Sequence, residues 1–317
     1  MNHLASKRNL WYLLSIILLA PGIISLLFNG LKFGIDFTGG SAWEVQYEEA
    51  VDVADIREVL AEYGRTEAQA QQVGDSDDYR YLIRMHELQQ SSPEKEELTE
   101  ALETLGTMNH EGESLETVGA SVGESIRNRS ILAVIAASIG ILLYIAFAFR
   151  NTGNAMLYGT CAIVGMVHDA LFVLGVFSIL GAVADVEIDA LFVTAVLTVI
   201  GFSVHDTIVV FDRIRENQMA DPSANLEDVV NHSIVQTLVR SLNTSVTVVF
   251  TLAALLLFGG ESTRYFVLAL LIGVIAGTYS SIFNASQLLV SWHEGEIQRL
   301  WRRITRRPEP SISGSEA

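Results

Sequence analysis

The chain has a single cysteine, Cys161, and that scarcity excludes an internal disulfide and any cysteine-based metal cluster. It has no CxxC pair, no Walker A loop and no GxGxxG turn, and its seven histidines show no HExxH spacing. Nothing in it argues for nucleotide hydrolysis, and no enzyme activity, cofactor or metal ion is expected. Basic residues are also scarce, 20 Lys and Arg against 37 Asp and Glu, for a formal net charge of −17. A nucleic-acid partner is not expected. Yet half of the residues are hydrophobic. So acidic and so apolar a chain makes sense only if charge and hydrophobicity occupy different segments.

They do. A bilayer core about 30 Å thick is crossed by roughly 20 apolar residues in a helix, and six such runs occur, at 10–28, 131–149, 155–181, 190–211, 242–258 and 265–290. The first follows Lys7 and Arg8 in the manner of a signal peptide, but its length and its Pro21 and Gly22 predict an uncleaved span. Lys and Arg cluster in segment 1–9, at Arg150, at Arg213, Arg215 and Arg240, and again in the tail at 299–317. Six crossings put all of these on one side, which the bias of basic loops makes the cytoplasm. Arg127, Arg129 and Arg264 are a minority on the other side. Both termini are expected inside, with 41–126 external and the last ten residues disordered.

That external segment carries nearly all of the excess charge, with 21 Asp and Glu against five Lys and Arg between positions 41 and 126. SAWEVQY alternates like a strand. VADIREVLAEYG has helical spacing and ends on Gly64, EAQAQQVG and YRYLIRMHEL follow as strands, and SLETVGAS is the last. The second helix is predicted from Ser92 as N-cap, Pro93 in its first turn and Gly106 beyond its end. The order βαββαβ predicts a ferredoxin-like domain, so the fold class is a six-span α-helical membrane protein with one external α+β domain. The acidity fits a solvated face, salt adaptation or a basic partner.

Some polar residues stand where water should not be. Asp169 lies roughly 20 Å into the third span and Asp206 about 10 Å from the end of the fourth, at about 1.5 Å per residue. An ionisable group at that depth faces the bundle interior and needs a partner. An unpartnered carboxylate there can take up and release a proton, and an approaching arginine would return it to the charged form. Asp206, with Arg240 opening the fifth span, is therefore the expected relay. For Asp169 a structural bridge and a place in the ion pathway are both open. His168 and His205 each precede an aspartate by one residue, about 100° around the helix, so neither is expected on the carboxylate's face. Gly201 and Ser203 are expected to allow close packing. Ala269, Gly273, Gly277, Ser281 and Ala285 recur every fourth residue, a small-residue ridge for another helix of this chain or of a partner. Ser280, Asn284 and Gln287 add polar groups beside it. An amphipathic helix at 223–240, with Leu226, Val229, Val230, Ile234 and Leu238 on one face, is expected to lie on the membrane surface.

Several stretches are long enough to carry a resemblance. FGIDFTGG at 33–40, MVHDALFVLG at 166–175, LTVIGFSVHDTIVVFDRIREN at 197–217 and RSLNTSVTVVFTLAALLLFGG at 240–260 resemble SecF subunits of the bacterial Sec protein-export translocase, in the SecD/SecF family of the resistance-nodulation-division superfamily. The likeness runs from about residue 32 through the sixth span. The motif residues Asp36, Phe37, Thr38, Gly39 and Gly40 are shared with the sister subunit SecD. His205 departs from the family pattern, which more often has Asn there. The resemblance implies a partner SecD, action beside the SecYEG channel and the SecA motor on an unfolded preprotein, and YajC as a further partner. It also implies coupling to the proton motive force, or to sodium, through Asp206 and Arg240. A subunit of a small-molecule or lipid exporter of the same superfamily is the main alternative, and an assembly factor that moves no ion is another.

Overall fold

The computed structural model describes residues 5–73, 78–150, 155–296 and 299, so the expected tail lies outside the described residues except for Arg299. The element order is α1 (Arg8–Phe28), α2 (Ile35–Thr38), β1 (Gly40–Gln46), α3 (Val53–Glu62), β2 (Gln69–Val73), β3 (Arg80–Met85), α4 (Pro93–Glu103), β4 (Ser114–Val118), α5 (Ala120–Ala148), α6 (Ala155–Ala184), α7 (Ala190–Ala220), α8 (Leu226–Phe258), α9 (Arg264–Ser280) and α10 (Ser286–His293). A π-helical turn, Ser281–Ala285, joins the last two. The chain divides into two units, one of 32–133 and 187–190, the other holding the remainder.

In the smaller unit the four strands form an antiparallel sheet in the order β2-β3-β1-β4. β1 and β3 alternate between half-buried and buried positions, as a strand with one covered face must. The covered face sends Trp43, Val45, Tyr81 and Ile83 against Ile56 and Leu60 of α3 and Leu98 and Leu102 of α4. Asp52 caps α3 through the Ala54 N–H, and Ser92 caps α4 through the Lys95 N–H with Pro93 in its first turn. The result is a βαββαβ domain of ferredoxin-like order. The segment 187–190 joins it. Gly34 N donates to Ile188 O at 2.9 Å, Ile188 N donates to Lys32 O at 2.8 Å, and Arg84 pairs with Glu187 at 2.9 Å.

The larger unit supplies helices long and apolar enough to cross a membrane, and with α5 and with α9 to α10 taken as one there are six among the described residues. Bounds differ from the sequence expectation in three places. α5 begins at Ala120, inside the expected 41–126 domain. α7 runs on to Ala220, its polar end carrying the i,i+3 pairs Arg213–Glu216 and Arg215–Asp212. The amphipathic segment and the fifth span are one unbroken helix, α8, which has neither glycine nor proline to end it.

The apolar stripe at the start of α8 is also not a membrane-surface face. Leu226, Val229, Val230 and Ile234 are buried within the protein. The start of α8 is tied down by Ala5 N donating to Asn231 Oδ1 at 2.8 Å and Asn217 Nδ2 donating to Ser233 Oγ at 2.8 Å. Arg8 adds a clamp on Glu227, Glu294 and Glu296. Elsewhere α1 crosses α6 at a pair of glycines. A Cβ on Gly22 would stand 2.8 Å from Gly175 Cα, so neither position admits a side chain. Ser25 Oγ and Ser178 Oγ meet at 2.8 Å beside that crossing.

Candidate functional site

The small-residue ridge decides how the buried polar groups meet. A Cβ on Gly273 would fall 2.1 Å from Val199 Cγ2, and one on Gly277 would fall 3.2 Å from Ser203 Cβ. Ala269, Gly273, Gly277, Ser281 and Ala285 are all buried, and the ridge lies against α7 and α6 of this same chain. Close backbone approach then lets short hydroxyls reach across. Ser281 Oγ donates to Ser203 O at 3.1 Å and meets Thr207 Oγ1 at 2.9 Å, and Ser245 Oγ meets Thr278 Oγ1 at 2.6 Å. Gly201, by contrast, has nothing near its missing Cβ and is exposed. Its expected role in close packing does not hold, because it lies on a different face of α7 from Ser203.

Asp169 sits at the centre of this seam, with no exposed surface. Its Oδ2 accepts from Ser203 Oγ of α7 and from Ser280 Oγ of α9, the latter at 2.6 Å. Its Oδ1 faces His168 Nδ1 at 2.9 Å. The expectation that His168 turns away from its neighbouring carboxylate is therefore overturned. The 100° step fixes where the Cβ atoms leave the helix, but an imidazole is long enough to fold back onto the adjacent side chain. For His205 the expectation agrees with its position, exposed on α7 beside a buried Asp206.

Asp206 has the opposite environment. It is 3% exposed, and its Oδ2 is shielded with no hydrogen-bond partner in the protein. Arg240, the expected partner, has an exposed side chain on α8 and forms no ion pair with it among the described residues. The pairing expected from sequence is not made within this chain. Arg213 turns to Gln236 Oε1 and Glu216, and Arg215 to Asp212, so neither neutralises Asp206. Around Arg240 the face of α8 is polar and then apolar, through Asn243, Thr244, Thr247, Phe250 and Leu257, all exposed.

The motif at 36–40 has a structural reading. Asp36 Oδ2 accepts from the N–H of Ala190 at 2.8 Å, and Thr38 Oγ1 donates to Gly34 O at 3.1 Å. Phe37 is buried edge-on to Phe33. Gly39 and Gly40 hold φ of +73° and +114°, where side chains are strained. A Cβ on them would also stand 2.7 Å from Ala120 Cα and from Met85 O respectively.

Sequence reasoning missed the hydroxyl pairs, Ser245 with Thr278 and Ser15 with Tyr279. The available signal was small polar residues recurring on one face of an apolar helix, as in Ser241 and Ser245. Gln287 is wholly buried with both amide atoms unpartnered in the protein.

Two family models match this chain: "Protein export membrane protein SecD/SecF, C-terminal" over residues 97–295 and "SecD/SecF GG Motif" over 24–51. A Thermobaculum terrenum protein named protein translocase subunit SecF is 53% identical over 303 residues, covering 93% of this chain and 95% of the relative. A protein of the same name from Anaerolinea thermophila is 40% identical, covering 96% and 98%. Among solved structures, SecDF of Thermus thermophilus, described as a translocon-associated membrane protein, superposes with a TM-score of 0.77 at 34% identity. That match covers 92% of this chain and 38% of SecDF, so the chain spans about two-fifths of that longer protein.

Proposed function

This chain belongs to the SecD/SecF family of protein export membrane proteins, and from that premise we propose that it is the SecF-type half of an accessory to Sec-dependent protein translocation, driven by ion flow through the membrane. It is a transducing subunit and not an enzyme. Its other half is a SecD-type protein, and the two act beside the SecYEG channel and SecA motor on an unfolded preprotein, with YajC as a further partner. In this reading both termini are cytoplasmic and the acidic βαββαβ domain is external, which the bias of basic segments supports.

One observation carries the reading. Asp206 is buried at membrane depth with its Oδ2 lacking a hydrogen-bond partner in the protein, while Arg240 is exposed on a helix face whose apolar residues are uncovered. A lone intramembrane carboxylate is costly and marks an ion pathway. An exposed arginine on the same membrane unit is the counter-charge that a second half would bring into register. Protonation of the one group would release the other, and the resulting helix shift is what ion flow would deliver to the external domain.

The test uses membrane vesicles holding the complete complex, with translocation followed after an imposed proton or sodium gradient. Asp206→Asn and Arg240→Met each lose the gradient-dependent part of export, while co-purification of the SecD-type half is unchanged. Gradient-stimulated export at the normal level in either variant, with the complex intact, overturns the assignment.

A further inference from the structure

Two long helices start at the turn formed by residues 33–40. α5 begins at Ala120 and α7 at Ala190, and both of these first residues belong to the smaller unit. Gly39 lies against the start of α5. A Cβ on it would fall 2.7 Å from Ala120 Cα, and one on Gly123, a turn into α5, would fall 2.8 Å from Gly39 N. On the other side the lead into α7 forms a parallel bridge, Phe33 with Ile188. Gly34 N donates to Ile188 O and Ile188 N donates to Lys32 O across it, and a Cβ on Gly34 would stand 3.2 Å from Ile188 O. Gly40 closes the same turn onto the sheet at Met85 O.

Asp36 completes the joint. The first N–H groups of a helix have no partner inside it, and a carboxylate is a favoured acceptor there. For α7 the acceptor comes from 154 positions away, Asp36 Oδ2 on the N–H of Ala190 at 2.8 Å. Arg84 of β3 holds Glu187 at 2.9 Å, so the sheet grips the same lead. These contacts are made by backbone, by glycine, or by short or paired side chains. They have little rotamer freedom in which to absorb a displacement, and close-packed groups transmit strain. α7 itself runs from Ala190 to Ala220 without a proline. Asp206 lies on it, about 24 Å from Ala190 at about 1.5 Å per residue.

We infer that Asp36 is the positioning residue through which α7 moves the external domain. It seats the start of the Asp206-bearing helix on the 33–40 turn, so a shift of α7 along its axis is carried into the four-stranded sheet. The Arg84–Glu187 pair keeps the lead in register with β3. Gly34, Gly39 and Gly123 leave no slack between the turn and the two helix starts. The inference rests on the ion-driven reading of the family's membrane unit and names the place where the movement leaves α7.

The experiment places nitroxide pairs in the complete complex in proteoliposomes, in a Cys161→Ser background, and reads them by pulsed electron resonance. Cysteine at the exposed Glu58 of α3 is paired in one sample with the exposed Leu191 of α7 and in another with the exposed Val183 of α6. The Glu58–Leu191 distance is expected to be narrow and to stay the same when a proton or sodium gradient is imposed, while the Glu58–Val183 distance shifts. D36A broadens the first distribution and abolishes the shift of the second, with the thermal midpoint and the co-purified SecD-type half unchanged. D36N restores both, because its amide oxygen accepts the same N–H. E187A serves if D36A does not accumulate. A D36A complex that shifts as the wild type does overturns the inference, and so does a Glu58–Leu191 distribution as narrow in D36A as in the wild type. Loss of the shift together with a lowered midpoint or a lost SecD-type half overturns it as well, because Asp36 then only holds the fold. The Glu58–Leu191 pair needs no gradient, so it tests the seat by itself. Asp206→Asn removes the Glu58–Val183 shift and leaves the Glu58–Leu191 distribution narrow. A shift that survives Asp206→Asn but not D36A fails the export reading and leaves the seat standing, so the two failures are separate results.

Discussion

At the residue scale, two aspartates of the same apolar unit have opposite surroundings. Asp169 is shared by three helices through Ser203, Ser280 and His168, whereas Asp206 has a shielded oxygen with no partner. A buried hydrogen-bonded group is expensive to replace, because its partners stay buried. Asp169→Asn keeps the shape but turns an amide N–H₂ toward donors already committed to the carboxylate. It is expected to lower stability by about 1–3 kcal/mol, read as a reduced thermal midpoint of the purified protein in nanodiscs. A midpoint unchanged within error would show that the seam does not depend on the carboxylate. Asp206→Asn meets no such network and is expected to leave the midpoint near its original value. That contrast between the two variants separates an aspartate that holds the helices together from one that does not.

At the element scale, the unexpected feature is the continuity of α8. Thirty-three residues run without a break from Leu226 to Phe258, so a movement at its buried, clamped beginning is transmitted as a rigid rod to the face that holds Arg240. Sequence patterning suggested two elements because the composition changes near Arg240, from amphipathic to apolar. Composition reports the surroundings of a helix, while its continuity depends on the absence of glycine, proline and unsatisfied caps. Cysteines placed at the exposed positions Asp228 and Phe250, in a Cys161→Ser background and carrying nitroxide labels, are expected to give one narrow distance distribution near 33 Å by pulsed electron resonance, the length of an unbroken helix at about 1.5 Å per residue. A clearly shorter or bimodal distribution would mean that α8 bends between its two halves.

At the scale of the whole molecule, the chain is two cores with different solvents, and they answer to different variables. The acidic domain has a pH-sensitive joint at Glu113. Burial pushes that carboxyl up, but Lys95 at 2.7 Å and the Trp43 indole N–H at 2.8 Å outweigh it, so its pKa is held below the ordinary 4.5. The folded domain then binds fewer protons than the unfolded chain in the range just below 4.5. Its contribution to stability is complete above that range and is lost as pH falls through the depressed value. Fluorescence of Trp43, in a chain whose other tryptophans are replaced by phenylalanine, is expected to report an acid-induced loss of stability that Glu113→Gln flattens. An equally steep acid limb in the variant would assign it to other carboxylates.

The sequence alone determined the number of apolar helices, the βαββαβ order, the Ser92 cap with Pro93 in the first turn, and the presence of a carboxylate, Asp206, deep in an apolar span. All of these are local or periodic properties that a linear pattern can carry. The DFTGG stretch was legible as a motif, yet its reasons, two positive φ angles and close backbone approaches at Ala120 and Met85, belong to chain segments that sequence does not place together. Tertiary structure decided where the small-residue ridge packs, bringing Gly273 and Gly277 onto α7 of the same chain. It also decided that His168 folds onto Asp169, that the α8 stripe is buried in protein, and that Asp206 and Arg240 do not pair within this chain. Each of these depends on which helices become neighbours. That is set by packing shape and by the total polar demand of buried groups, and neither can be read from one helix at a time.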